Sequence, residues 1–402
     1  MQIKDFECFI VENPPPRFGG RYFLFVKLVT DDGIVGIGEI YCATFGADSL
    51  AQMAKDTAER YLIGQDPFKT ERLWRRVYGS GYTLRADVSL MGVLSGLEMA
   101  CWDIIGKSLD KPVYELLGGQ VHERLRTYTY IYPKEGDAYP EDDDDSHVYV
   151  NPDTAAERAL EYVDQGFTAL KFDPAGAYTV FDGGMPTLEE LDRSERFMKA
   201  LREAVGTKAD LLFGTHGQFT PAGAIRLAKR IEPFDPLWFE EPVPPDSPED
   251  MAHVARQTSI PIATGERLCT KYEFARLLEL RAARILQMNL GRSGGLLESK
   301  KIAALAESFG AQIAPHLYCG PIVGAANVQL ATCSPNFLIL ESIERWQGFH
   351  SDLLERPVQW ESGFVIPPTE PGLGVVLNEE VARAHPWKGH ELHLEMGQEP
   401  VR

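Results

Sequence analysis

Two apolar runs rich in aromatic and β-branched residues, YFLFVKLVT (22–30) and IVGIGEIY (34–41), flank Asp31-Asp32-Gly33. Such runs read as strands, and glycine supplies the positive φ that a tight turn needs, so they predict a hairpin. Helical patterns follow. In SLMGVLSGLEMACWDIIGKSL (89–109) apolar residues recur at helical spacing, and the pattern stops at Lys111-Pro112 because proline cannot continue a helix. Residues 1–122 therefore read as an α+β unit, with residues 366–402 packing back on it.

From Leu125 onward the texture changes to short apolar runs, each followed by a helical pattern: LRTYTYIY, TALKF, DLLFGT, LWFEE, IPIATGE, RILQMN, AQIAPH and NFLILES. Strands alternating with helices are the sequence form of a parallel α/β sheet. Their number predicts a (β/α)7–8 TIM-like barrel over residues 123–365, with an open sheet as the weaker alternative. The positions ending these runs are Lys171, Gly214, Glu240, Glu266, Asn289, His316 and Glu341, the later ones about 23–27 residues apart, one βα unit each. Barrel enzymes build their sites at the carboxyl ends of the strands, so these positions share one rim.

Composition narrows the class. A formal charge of −19 without Lys/Arg clusters argues against nucleic acid. The six cysteines form no CxxC pair and fall mostly in apolar runs, which fits reduced thiols and a cytoplasmic protein. No uninterrupted apolar stretch approaches the roughly 20 residues that span a bilayer, and the start MQIKDFECFI does not read as a signal peptide.

Glu240 (WFEEPVPP) and Glu266 (IATGER) end successive strands, and two ionised carboxylates side by side require a proton or a cation. Hard oxygen ligands suit Mg²⁺; a salt bridge to Arg267 is the plainer alternative. Glu241 points to the other face of its strand. His316 and His216 offer two imidazoles able to move protons near neutral pH, and Lys171 could neutralise a substrate carboxylate. Together these groups suit removal of a proton α to a carboxylate.

At this point the chain resembles the mandelate racemase-like group of the enolase superfamily, through GLEMACWDIIGKSLDKPVYELLGG, WFEEPVPP, IPIATGERL, QMNLGRSGGL and IAPHLYCGPI. Within that group it looks most like galactonate, gluconate and mannonate dehydratases. The resemblance implies a Mg²⁺-dependent sugar-acid dehydratase in which Glu240 and Glu266 match metal ligands, His316 the base, His216 the acid, and Glu341 the eighth-strand carboxylate. Lys171 matches the first lysine of the KxK motif, and Asp173 stands where the second would be. Two residues depart from the pattern: Gly214 replaces an aspartate metal ligand, and Asn289 replaces the aspartate that orients the histidine. His216, Asp173 or water are the candidates to fill the ligand gap. An epimerase or cycloisomerase of the same fold stays open, and so, on these two departures, does an acid-sugar-binding protein with weak or no turnover.

Specificity is expected in residues 13–22, 133–150 and 174–187, with Arg17, Tyr22 and Asp173 as substrate-contacting candidates and the acidic run 141–145 as a solvated loop. By analogy with the resembling families, a homo-oligomer acting on a small sugar acid is expected.

Overall fold

The structure is a computed structural model describing residues 1–82, 84–134, 147–176, 178–180 and 183–398. The acidic run 141–145 lies outside the described residues. Strands β1 (Ile3–Glu12), β2 (Tyr22–Thr30) and β3 (Val35–Ile40) form an antiparallel sheet in that order, and Gly33 turns the predicted hairpin at φ 88°. The Val88–Ser108 helix lies on this sheet. Glycine makes the approach possible, since a Cβ on Gly38 would lie 1.9 Å from the Gly96 carbonyl oxygen. This helix has the length and apolarity of a membrane-crossing segment, which the sequence reading did not register, yet most of it is buried inside the fold.

Eight further strands are mutually parallel: β4 (Leu125–Tyr130), β5 (Ala169–Phe172), β6 (Asp210–Phe213), β7 (Trp238–Glu240), β8 (Ile262–Thr264), β9 (Ile285–Leu286), β10 (Gln312–Ile313) and β11 (Leu340–Ser342). Pairing runs unbroken from β4 to β10, and β11 pairs with β4. An Ile313–Phe337 bridge links the β10 and β11 segments, so the circuit of pairing closes. Tyr128, Ala169, Leu212, Trp238, Ala263, Ile285, Ala314 and Ile339, one from each strand or its flank, form a single buried cluster. A short hairpin of β12 (Trp360–Glu361) and β13 (Phe364–Val365) pairs with the start of β4.

Two buried carboxylates join the N-terminal unit to the strand-and-helix unit. Glu98 accepts the Leu296 and Leu297 N–H groups at 2.8 and 3.1 Å, where the Leu296–Ser308 helix begins. Glu39 accepts from Gly320, Ile322 and Val323 at 2.5, 3.1 and 2.9 Å, at the start of the Pro321–Thr332 helix. Helix N-termini present unpaired N–H groups and partial positive charge, so each carboxylate is satisfied across the junction. The C-terminal segment runs along β1, with a Val11–Pro386 bridge and Trp387 N–H donating to the Ile10 carbonyl at 3.0 Å. It then crosses to the other unit, where Gly397 bridges Thr179.

Candidate active site

Strand alternation places the site. Two residues beyond Ala169, Leu212, Trp238, Ile285, Ala314 and Ile339 stand Lys171, Gly214, Glu240, Gln287, His316 and Glu341. A period of two keeps them on the inner face, at the carboxyl ends. Glu266 stands three residues past Ala263 because Gly265, at φ 137°, re-aims the chain; a Cβ there would lie 2.8 Å from Phe274.

Lys171 is buried, with Nζ 2.5 Å from Glu240 Oε1 and 3.8 Å from Glu341 Oε1. Burial alone would lower its pKa, but Glu240 and Glu341 outweigh that and hold the ammonium well above the ordinary lysine value. Glu240 Oε2 takes two more donors, Trp238 Nε1 at 3.0 Å and Gln287 Nε2 at 2.8 Å. Glu341 accepts the Leu317 N–H at 2.7 Å, and burial pushes its pKa up to about 7 against the opposing pull of Lys171.

The two imidazoles differ in where they hold a proton, as assigned from their partners. His216 Nδ1 lies 2.8 Å from Asp173 Oδ2, which also accepts the Tyr178 hydroxyl at 2.8 Å. A carboxylate only accepts, so Nδ1 carries a proton, and in the neutral ring Nε2 keeps a lone pair, 3.9 Å from Glu266 Oε1. Burial opposes charge on His216, but Asp173 and Glu266 raise its pKa above the ordinary value. At the other histidine, Asn289 Oδ1 accepts the Gly291 N–H at 2.8 Å, which turns Asn289 Nδ2 toward His316 Nδ1 at 2.9 Å. Nδ1 therefore accepts, and the proton sits on Nε2, 3.4 Å from Glu266 Oε2. Burial pulls the His316 pKa down to about 3, so it is neutral near pH 7.

This architecture has relatives. The sequence model for the mandelate racemase/muconate lactonizing enzyme N-terminal domain matches residues 18–118, and the enolase C-terminal domain-like model matches 154–381. The chain belongs to this enolase-superfamily group. It is 32% identical to D-xylonate dehydratase of Haloferax volcanii, over 97% of this chain and 90% of the relative. It is 33% identical to D-galactonate dehydratase of Verminephrobacter eiseniae, over 91% and 90%. A mandelate racemase/muconate lactonizing enzyme structure from Sulfitobacter sp. superposes with a TM-score of 0.95 at 52% identity, covering 100% of both chains.

The structure places several of the predicted residues differently from the sequence expectation. The sequence reading gave His316 the role of base and His216 that of acid; in the neutral rings the hydrogen bonds leave Nε2 of His216 bare and put a proton on Nε2 of His316. Asp173, expected to contact substrate, is buried with its side chain 1% exposed; its Oδ2 is held by His216 and Tyr178, which makes it the partner of the imidazole. Tyr22 is also buried, packed on Trp387 and His393 with its hydroxyl 3.4 Å from the Phe45 carbonyl, so it offers substrate no surface. Arg17 stands half-buried in a turn beside Phe18, whose ring stacks on Tyr132 at 4.2 Å, so the 13–22 segment does reach the chain just beyond β4. Glu241 pairs with Arg267 at 2.7 Å, off the site as expected. Gln287, Trp238 and Tyr178 were missed. A strict count of two from the apolar interior position would have found Gln287; nothing in the sequence marks the other two.

Members of this group generally use Mg²⁺, an ion that takes oxygen ligands. Gly214 has no ligand atom, and both oxygens of Glu240 are engaged by N–H donors. Glu266 Oε2 and Asp173 Oδ1 are buried carboxylate oxygens without a hydrogen-bond partner, and among the described residues no three His, Cys, Asp or Glu side chains are grouped to hold an ion. The residues present do not fit a carboxylate cage.

Proposed function

We propose that the chain is a hydro-lyase acting on a sugar acid: it removes the proton α to the carboxylate and expels the β-hydroxyl as water, giving a 2-keto-3-deoxy acid. Relatives named D-xylonate, D-gluconate and D-galactonate dehydratases support the reaction class. The observation that carries it is the pair of imidazoles facing the two oxygens of Glu266, one with a bare nitrogen and one with an N–H.

His216 Nε2 takes the α-proton, and the C–H electron pair passes into an ene-diolate. Collapse of the ene-diolate breaks the C–O bond, the departing hydroxide takes the proton back from His216, and the enol product tautomerises to the keto acid. His316, neutral and donating from Nε2, hydrogen-bonds an oxygen on which negative charge develops. This division favours dehydration over epimerisation, because an epimerase needs proton-transfer groups on both faces of the carbon and His316 has no free lone pair at Nε2.

The test is incubation with D-xylonate, D-gluconate, D-galactonate and further five- and six-carbon acid sugars in deuterated water, following loss of water and α-hydrogen exchange by mass. His216→Asn is expected to abolish both; His316→Asn keeps exchange and slows elimination. Absence of both reactions with every acid sugar rejects the dehydratase reading, and the reverse mutant pattern returns the base to His316.

A further inference from the structure

The failure of the carboxylate cage has a definite cause. Lys171 Nζ holds Glu240 Oε1 at 2.5 Å, and Trp238 and Gln287 hold Oε2, so the oxygens that would face an ion face N–H groups without lone pairs. Gly214 stands beside the same lysine. A Cβ built on Gly214 would lie 3.3 Å from Lys171 Cε, 3.2 Å from the Phe172 carbonyl oxygen and 3.5 Å from Asp173 Cβ, tighter at the first two than side chains ordinarily pack. An aspartate here would crowd the lysine stem, and its carboxylate would compete with Glu240 for the ammonium. The glycine and the lysine are thus complementary: one gives up a ligand and the other brings a cation.

We infer that the Lys171 ammonium takes the place of a divalent cation in this chain, with Gly214 making room for it. Lys171 is seated between Glu240 and Glu341, 2.5 and 3.8 Å away, so its charge is fixed at the rim where a substrate carboxylate would enter. A preorganised cation in buried surroundings stabilises developing negative charge without rearranging during the reaction, and an ammonium meets that requirement through hydrogen bonds that a metal would supply by coordination. This inference uses the location of the site but not the identity of the reaction, so it is tested without substrate.

Calorimetric titration of Mg²⁺ and Mn²⁺ into the metal-stripped full chain is expected to show no stoichiometric site below millimolar concentration, and the thermal midpoint is expected to be the same in EDTA as in millimolar Mg²⁺. Stoichiometric binding at micromolar concentration, lost in Glu240→Gln, would overturn the inference. The doubly substituted Gly214→Asp, Lys171→Met protein restores a carboxylate and removes the competing cation. It should bind Mn²⁺ at least tenfold more tightly than wild type, and Gly214→Asp alone should gain less. A double variant that folds, judged by circular dichroism, and binds no better than wild type overturns the role given to Lys171. If the double variant does not fold, Gly214→Asp alone decides: tightening as large as tenfold would mean that Lys171 does not exclude the ion. Should the dehydratase reading fail, these titrations still read the same quantity.

Discussion

Asn289 donates its amide N–H to Nδ1 of His316 at 2.9 Å, while its own oxygen is held by the Gly291 backbone N–H at 2.8 Å. The backbone donor cannot reverse its role, so it fixes the amide and, through the amide, the imidazole. Replacing Asn289 with aspartate exchanges the donor for an acceptor, moves the His316 proton to Nδ1 and frees Nε2. In a His216→Asn background, Asn289→Asp is expected to recover α-hydrogen exchange at least tenfold, measured by mass in deuterated water. No recovery in the folded double variant would mean that Asn289 does not set the tautomer.

Asp173 is the corresponding partner of His216, and it loses the ability to accept the Nδ1 proton in one orientation when changed to asparagine. Asp173→Asn should lower kcat about 10²–10⁴-fold with a smaller change in KM. Tyr178→Phe, which removes one neutral donor from the same oxygen, should cost about 1 kcal/mol in kcat/KM. Steady-state kinetics on any acid sugar that is turned over separates the two; equal losses would point to a general collapse of the loop and not to the proton position.

Much of this arrangement was legible before the coordinates. Apolar runs ending in Lys171, Glu240, Glu266, His316 and Glu341 placed those residues on one rim because alternation and strand ends are local properties of the chain. The roles within the rim were not legible, because they depend on which atom meets which across strands far apart in sequence. Asn289 and Gly291 decide the His316 tautomer through a backbone contact, and Asp173 turns to His216 across 43 residues. The apolar Val88–Ser108 helix hid a different fact: Glu98 within it looks like a surface carboxylate by type, and only the partner helix makes it an internal one.

Glu98 accepts from Leu296 and Leu297 and from Trp102 Nε1 at 2.7 Å. Glu98→Ala leaves three donors without an acceptor, the Leu296 N–H fully buried and the other two partly so, and opens a gap at the junction, so about 2–5 kcal/mol of stability should be lost in chemical denaturation. Unchanged stability would mean that water replaces the carboxylate at no cost.

His350 gives a pH dependence that can be assigned. It is buried, its Nε2–H donates to the Cys319 carbonyl at 3.2 Å, and burial lowers its pKa from 6.5 to about 4, against the smaller upward pull of that bond. Between those values the unfolded chain binds a proton that the folded chain refuses, so stability falls as pH drops through 6.5 toward 4. His350→Gln, which keeps an N–H donor, should flatten the fall of the thermal midpoint across that window. An identical slope in wild type and variant would assign it to other groups.

The crossing of the C-terminal segment has a practical side. Gly397 pairs with the 178–180 stretch, the same stretch whose Tyr178 hydroxyl steadies Asp173. Gly397→Pro would remove the N–H that the Tyr178 carbonyl accepts, so a change in the C-terminal segment would be felt at Asp173, far away in sequence.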